Sequence, residues 1–274
     1  MALKGNLLYN GDFETGTTEG WVNGAYGLVG QLNFSASAEA KLIGNYGGLL
    51  ETTEDYKSSY IAYDKVCSFE EYEGYLFIMY GKIVSGLGIQ GQLYGLDDKG
   101  NLKQIYGIGY NTEAGEWRKF TAILRGYDDA THFSVGALLW GGSGGCKFYI
   151  DEAKLIPLRS VKGHVLAEYR SFDSVTSYKH WYSGLACLGR CKLESVVKTT
   201  GVSGTDPTLD VGIYVALLYG TNILLEYWHG TITGNTTSRI SVEIPEAQYI
   251  IVEYYIGGTE PSFNIRHNIR LIPL

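Results

Sequence analysis

The chain is 274 residues long, with Lys plus Arg at 22 against Asp plus Glu at 29, giving a formal net charge of −7. Hydrophobic residues make up 45% and charged residues 19%, which excludes a disordered chain and a long charged coiled coil. A mildly acidic chain without basic runs is unsuited to nucleic acid, and no apolar run reaches the ~18 residues of a membrane span.

The N-terminus, Met1-Ala2-Leu3-Lys4-Gly5-Asn6, lacks the apolar core of a secretory signal. The expectation is a signal already removed, or a protein that leaves the cytoplasm by another route. From there the pattern is one of period 2. Phe120, Ala122 and Leu124 place alternate apolar side chains on one face, as do Phe133, Val135, Ala137 and Leu139. The same holds for Leu209, Val211, Ile213, Val215 and Leu217, and for Ile240, Val242 and Ile244. Breaks at Asp97–Asn101, Gly141–Gly145, Thr233–Asn235 and Gly257-Gly258 read as hairpin turns and loops. No long stretch has a helical period, so the chain is all-β.

An internal echo sets the boundary. Lys154-Leu-Ile-Pro-Leu158 and Arg270-Leu-Ile-Pro-Leu274 each follow a strand-like run, and a proline just past a strand is a natural stop. The expectation is two tandem antiparallel β-sandwiches, 1–158 and 159–274. Cys187-Leu-Gly-Arg-Cys191 has neither redox nor zinc spacing, so its thiols are structural, either buried or bridged across a turn at Gly189.

Asn6-Leu-Leu-Tyr-Asn-Gly-Asp-Phe-Glu14 with Gly16 and Trp21, then Gly115-Glu-Trp-Arg-Lys-Phe-Thr121, then Phe148-Tyr-Ile-Asp-Glu152 come in that order. Together they resemble the jelly-roll, galactose-binding-like carbohydrate-binding modules of the 4/9/22 group. The resemblance implies that Asn6–Glu14 is an opening strand. It also implies a structural Ca2+ held by the backbone carbonyl of Asp12 and the carboxylates of Glu14 and Asp151, with Glu51 or Glu54 as a further acid. Calcium takes six to eight hard oxygen ligands, which carboxylates and carbonyls supply. A glycan platform needs aromatic faces, and Tyr80, Tyr94, Tyr106 and Trp140 are the candidates on strand-like segments.

In the second half, Thr200-Gly-Val-Ser-Gly-Thr-Asp-Pro-Thr-Leu-Asp-Val211 resembles a hairpin of β-sandwich structural proteins of tailed bacteriophages, with Pro207 presetting its turn. No hydrolase, metalloprotease or nucleotide-binding signature is present, and His132, His164, His180, His229 and His267 are scattered. Adjacent acids such as Asp97-Asp98 and Asp128-Asp129 point to opposite faces in strands or to solvent in turns. The expectation is a non-enzymatic virion structural protein, a capsid decoration or tail component. Its partners would be copies of itself, other virion subunits and host-surface polysaccharide. The alternative is a secreted carbohydrate-binding module, or an accessory fragment of a glycoside hydrolase.

Overall fold

The computed structural model describes residues 5–28, 32–52, 58–126, 130–141, 145–217 and 224–274. Glu54, Asp128, Asp129 and the centre of the Gly141–Gly145 break lie outside them. Two compact β units follow one another, Met1–Val161 and Lys162–Leu274. The first runs three residues past Leu158 because Val161 is buried beside Gly74, where a Cβ would come within 2.6 Å of its Cγ1. Among the described residues no helix is long and apolar enough to cross a membrane.

The strands of the first unit are β1 (Trp21–Asn23), β2 (Asn33–Ser37), β3 (Gly47–Glu51), β4 (Ser59–Tyr63), β5 (Cys67–Ser68) and β6 (Gly74–Ser85). They continue with β7 (Gly88–Leu96), β8 (Leu102–Asn111), β9 (Trp117–Leu124), β10 (His132–Trp140) and β11 (Lys147–Leu158). One sheet runs β1-β4-β10-β7-β8 with β5 beside β10, and the other runs β9-β6-β11-β3-β2. All these pairings are antiparallel. The sheets face each other across a core in which Tyr75 of β6 meets Phe133 of β10 edge-on at 4.8 Å. Alternation drives this arrangement: Phe77, Met79 and Ile83 turn inward from β6, while Ile78, Tyr80 and Lys82 remain part-exposed.

The expected opening strand is absent. Residues 6–14 form turns beside β11, where Leu7 N–H donates to Leu155 O at 2.8 Å and Leu155 N–H donates to Asn6 Oδ1 at 2.8 Å. Asn10 explains why: its amide donates to Thr17 O and Glu19 O, while its Oδ1 accepts from Thr15, folding the segment back on itself. Gly11 approaches β11 so closely that a Cβ would lie 2.1 Å from Ala153 O.

The second unit holds β12 (Leu166–Val175), β13 (Lys179–Tyr182), β14 (Leu185–Cys187), β15 (Cys191–Ala216), β16 (Leu224–Ile232), β17 (Thr237–Ile244) and β18 (Tyr249–Pro273). Strands β15 and β18 pair along most of their length and bend together. One half of this ribbon is flanked by β17 and β12, the other by β16 and β13. The two halves then close on one another, and Tyr254 meets His267 of the same strand.

Two turn expectations are corrected by this bend. Thr200–Val211 is part of β15 rather than a hairpin, and Gly257-Gly258 is part of β18. The register slips between Thr200 and Thr208, where Gly204, Asp206, Gly258 and Glu260 all have positive φ. Such paired bulges bend a ribbon without ending it. The echoing prolines also lie inside strands: Pro157 pairs with Tyr75 and Pro273 with Cys191. Pro157 stands at the end of β11, beyond its ladder to β3, where one missing donor is tolerated. Gly189, with φ +95, supplies the expected turn before Cys191, and the Cys187 thiol faces Gly189 O at 3.8 Å.

Candidate functional site

Four strands of the first unit turn a second face away from the core, and it is on β7 that this face becomes unusual. Every residue of β7 is buried, on both sides. Gln90, Gln92, Tyr94 and Leu96 occupy the outer side, opposite Leu138, Gly136, Ser134 and His132 of β10. Gln92 Nε2 donates to Gln90 Oε1 at 2.8 Å, while Gln92 Oε1 has no hydrogen-bond partner among the described residues. A buried amide oxygen left in this state costs free energy until something donates to it.

Glycines make room for this pair. Gly107 of β8 and Gly136 of β10 flank Gln92, and a Cβ on Gly107 would lie 2.4 Å from Gln90 Nε2. Gly88 does the same for Tyr110, whose hydroxyl would stand 2.7 Å from a Cβ there. Trp140, opposite Gly88, meets Tyr110 edge-to-face at 4.9 Å, and both rings are half-buried. The arrangement is therefore a half-open aromatic corner, Trp140 with Tyr110, leading to the Gln90–Gln92 pair. Chemically it offers ring faces beside a buried amide pair.

The four aromatic candidates do not form one platform. Tyr94 is fully buried on the outer face, donating to Ile61 O at 2.9 Å and covered by Tyr26 at 5.6 Å. Tyr106 is 1% exposed and points into the core beside Leu93. Tyr80 stands on the other sheet, opposite Asp151 of β11. Trp140 alone reaches the outer corner, and its partner Tyr110, like both glutamines, was missed. The signal was present in Gly88-Ile-Gln-Gly-Gln92, where polar residues alternate with apolar or small ones on a strand that composition marks as buried.

The residues assigned to calcium meet a different demand. Glu14 accepts from Asn45 N at 2.6 Å, Asn45 Nδ2 at 2.9 Å and Tyr46 N at 2.9 Å, and these N–H bonds, led by that of Tyr46, hold its carboxyl below the usual range. Asp151 accepts from Leu42 N, Ile43 N and Glu152 N, and burial nevertheless pushes it up to about 6. Asp12 Oδ1 accepts from Glu14 N at 3.4 Å. Their oxygens face N–H donors, and among the described residues no group of three or more His, Cys, Asp or Glu is placed to hold a metal. In this structure the Glu14 and Asp151 carboxylates are engaged by N–H donors, and through them residues 42–46 are clasped to the opening turns.

A second polar cluster, in the other unit, also escaped the sequence. Ser195 Oγ lies 2.6 Å from His267 Nε2 and 2.8 Å from His229 Nε2. The serine and His267 are fully buried, and no carboxylate orients either imidazole. A triad needs both access and an orienting acid, so this is a structural chain rather than a reactive centre.

No protein-family profile matches the chain and no curated protein is similar to it. Among solved structures, it is similar to the N-terminal CBM22-1–CBM22-2 tandem domain of Xyn10C from Paenibacillus barcinonensis, at 12% identity and a TM-score of 0.43, covering 99% of both chains. It is also similar to the C-terminal family 22 carbohydrate-binding module of Clostridium thermocellum Xyn10B, at 18% identity and a TM-score of 0.44, covering 56% of this chain and 93% of that one. The enzymatically active domain of tailspike protein 4 from bacteriophage CBA120 is similar at 13% identity and a TM-score of 0.43, covering 56% of this chain and 22% of that one. Likenesses this distant assign no function, and the chemistry of the outer face has to carry it.

Proposed function

We propose that the chain is a non-catalytic polysaccharide-binding protein whose first unit binds through the outer face of the β4-β10-β7-β8 sheet. The observation that carries this is the half-buried Trp140–Tyr110 corner, whose rings meet edge-to-face at 4.9 Å. Sugar rings stack their C–H faces on such aromatics. Gln90 and Gln92 lie buried beside it on the same face of β7 and support it from behind the surface.

The setting, on a virion or secreted as a module, is a separate matter. Placement on a phage particle draws on the resemblance of Thr200–Val211 to a hairpin, and the structure builds that segment as a bend in a continuous strand. The secreted reading draws on the first unit and needs nothing from the second, so it is the better supported.

Affinity electrophoresis through gels containing soluble xylan, β-glucan or mannan tests the binding. The native chain is retarded by at least one of them, and Trp140→Ala and Tyr110→Ala lose at least tenfold in affinity while melting as the native chain does. Unaltered retardation in both variants would remove the outer face as the site.

A further inference from the structure

The second unit carries an aromatic surface of its own, on the sheet half formed by β13, β18, β15 and β16. Across one row, His180, Glu253, Gly212 and Trp228 stand side by side on the four strands. Across the next stand Tyr182, Ile251, Tyr214 and Glu226. Tyr255 lies beside Asp210, and Tyr178 precedes β13. All of these point away from the core, because the intervening Trp181, Val252, Tyr254, Val211 and Ile213 are the buried ones.

The rings form a contiguous cluster. Tyr178 and Tyr255 are 5.2 Å apart between centroids, Tyr255 and Trp228 5.8 Å, and Trp228 and Tyr214 5.9 Å. Trp228 is 45% exposed, Tyr178 49% and Tyr255 40%, so three of the four rings offer substantial surface to solvent. Gly212 makes the cluster possible: a Cβ there would come within 3.0 Å of both the Trp228 and Tyr214 rings. Glu253 sits at the centre. It accepts from Tyr178 Oη at 2.7 Å on one oxygen and from Tyr255 Oη on the other, which locks two rings around a carboxylate that keeps further lone pairs for a ligand.

We infer that this surface is a second, independent binding site for a polysaccharide that carries no anionic groups. Three features select that occupant. The acids Glu253, Asp210 and Glu226 share the face with no Lys or Arg at the register positions named, so an anionic polymer is repelled and a hydroxyl donor is welcomed. A carboxylate at the centre of the patch is unlike a protein–protein interface, whose core is depleted of charge. The rings spread from the segment before β13 over β18, β16 and β15 as a broad, open sheet surface, which suits the faces of sugar rings and not a small cation enclosed in a cage. This surface is built from residues of the second unit alone, so either site can stand without the other.

The test uses the full-length chain in affinity electrophoresis against neutral β-glucan, xylan and mannan, with polygalacturonate as the anionic control. The proteins are the native chain, Trp228→Ala, Tyr255→Ala, Trp140→Ala, the double variant Trp140→Ala/Trp228→Ala and the conservative Trp228→Phe. Trp228 is exposed, so its loss leaves the core intact, and a matching melting curve verifies this. The expected result is at least a tenfold loss of affinity for one neutral polymer in Trp228→Ala and Tyr255→Ala, with partial rescue by Trp228→Phe. Retardation that survives Trp140→Ala should vanish in the double variant. The inference is overturned if no neutral polymer retards the native chain, if polygalacturonate alone does, or if Trp140→Ala abolishes all binding while Trp228→Ala changes none. It is equally overturned if Trp228→Ala abolishes self-association and leaves glycan retardation untouched. Loss in Trp228→Ala with none in Trp140→Ala keeps this site and removes the first unit's.

Discussion

The imidazole Nε2 of His267 lies 2.6 Å from Ser195 Oγ, inside a hydrogen-bonded chain whose direction can be worked out atom by atom. Trp181 Nε1 can only donate, and it donates to Tyr254 Oη at 3.0 Å. The tyrosine proton is then free for His267 Nδ1 at 2.7 Å, which leaves the His267 proton on Nε2 for Ser195. Ser195 in turn donates to His229 Nε2, and His229 Nδ1–H donates to Ser238 Oγ at 3.0 Å. Ser238 closes the chain by donating to His229 O at 3.2 Å. Every member is satisfied only while both histidines are neutral.

Acid should therefore loosen the second unit. Burial pushes His267 down to about 3, with the neighbouring His229 adding to the shift, and burial pushes His229 down to about 4. In an unfolded chain both titrate near ~6.5. Above that pH both states are neutral and the stability contributed by the chain is complete. Between pH ~6.5 and ~4 the unfolded state takes up protons that the folded state refuses, so stability falls by up to ~1.4 kcal/mol per pH unit for each histidine. Urea melts followed by tryptophan fluorescence at pH 7, 6 and 5 measure this, and the His229→Gln variant should show a shallower fall.

Removing the bridging hydroxyl is a sharper probe of the same chain. Ser195→Ala leaves the His267 Nε2–H, which is buried, and the His229 Nε2 lone pair, which is part-buried, facing a gap. The expected cost is about 2 kcal/mol or more, since each orphaned buried group costs about 1–3 kcal/mol. A change within experimental error would mean that water fills the gap.

For the first unit, Gly44→Ala tests the clasp on Glu14. Gly44 has φ +79, and a Cβ there would lie 2.3 Å from Glu14 Oε1. The left-handed backbone alone costs a non-glycine residue about 1–2 kcal/mol, and displacing the carboxylate from Asn45 and Tyr46 adds to it. A chelator, by contrast, should leave the melting temperature of the native chain unchanged, because the oxygens of Glu14 and Asp151 are turned to N–H donors. A rise in melting temperature on adding calcium to a stripped sample would contradict this.

Gly107→Ala tests the buried glutamine pair. The added methyl meets the far end of Gln90, 2.4 Å from Nε2, so the side chain must swing and break its bond to Gln92. The expected outcome is a loss of stability of about 1–3 kcal/mol, read by a thermal or urea melt, and an unchanged melt would show that the pair re-forms around the methyl.

Most strands were legible because a half-buried strand writes its two faces into alternate residues, as Ile240–Ile244 does. The opening motif was legible as a resemblance and misread as a strand: Asn10, Gly11 and Glu14 are there to make turns, a close approach and a clasp. Gly257-Gly258 and Thr200–Val211 were misread as turns because glycine and proline mark a bend equally well when it interrupts a hairpin or merely kinks a long ribbon.

Composition and alternation were enough to establish an all-β chain, since those features depend on each residue's neighbours along the backbone. Which rings would share a face was settled only by strand order and register. Tyr94 and Tyr106 belong to adjacent paired strands yet point to opposite sides of one sheet, and Trp228 finds Tyr255 across the intervening β15. Contacts between strands far apart in sequence depend on pairing and on bulges that shift parity by one. No local pattern of residues encodes those choices.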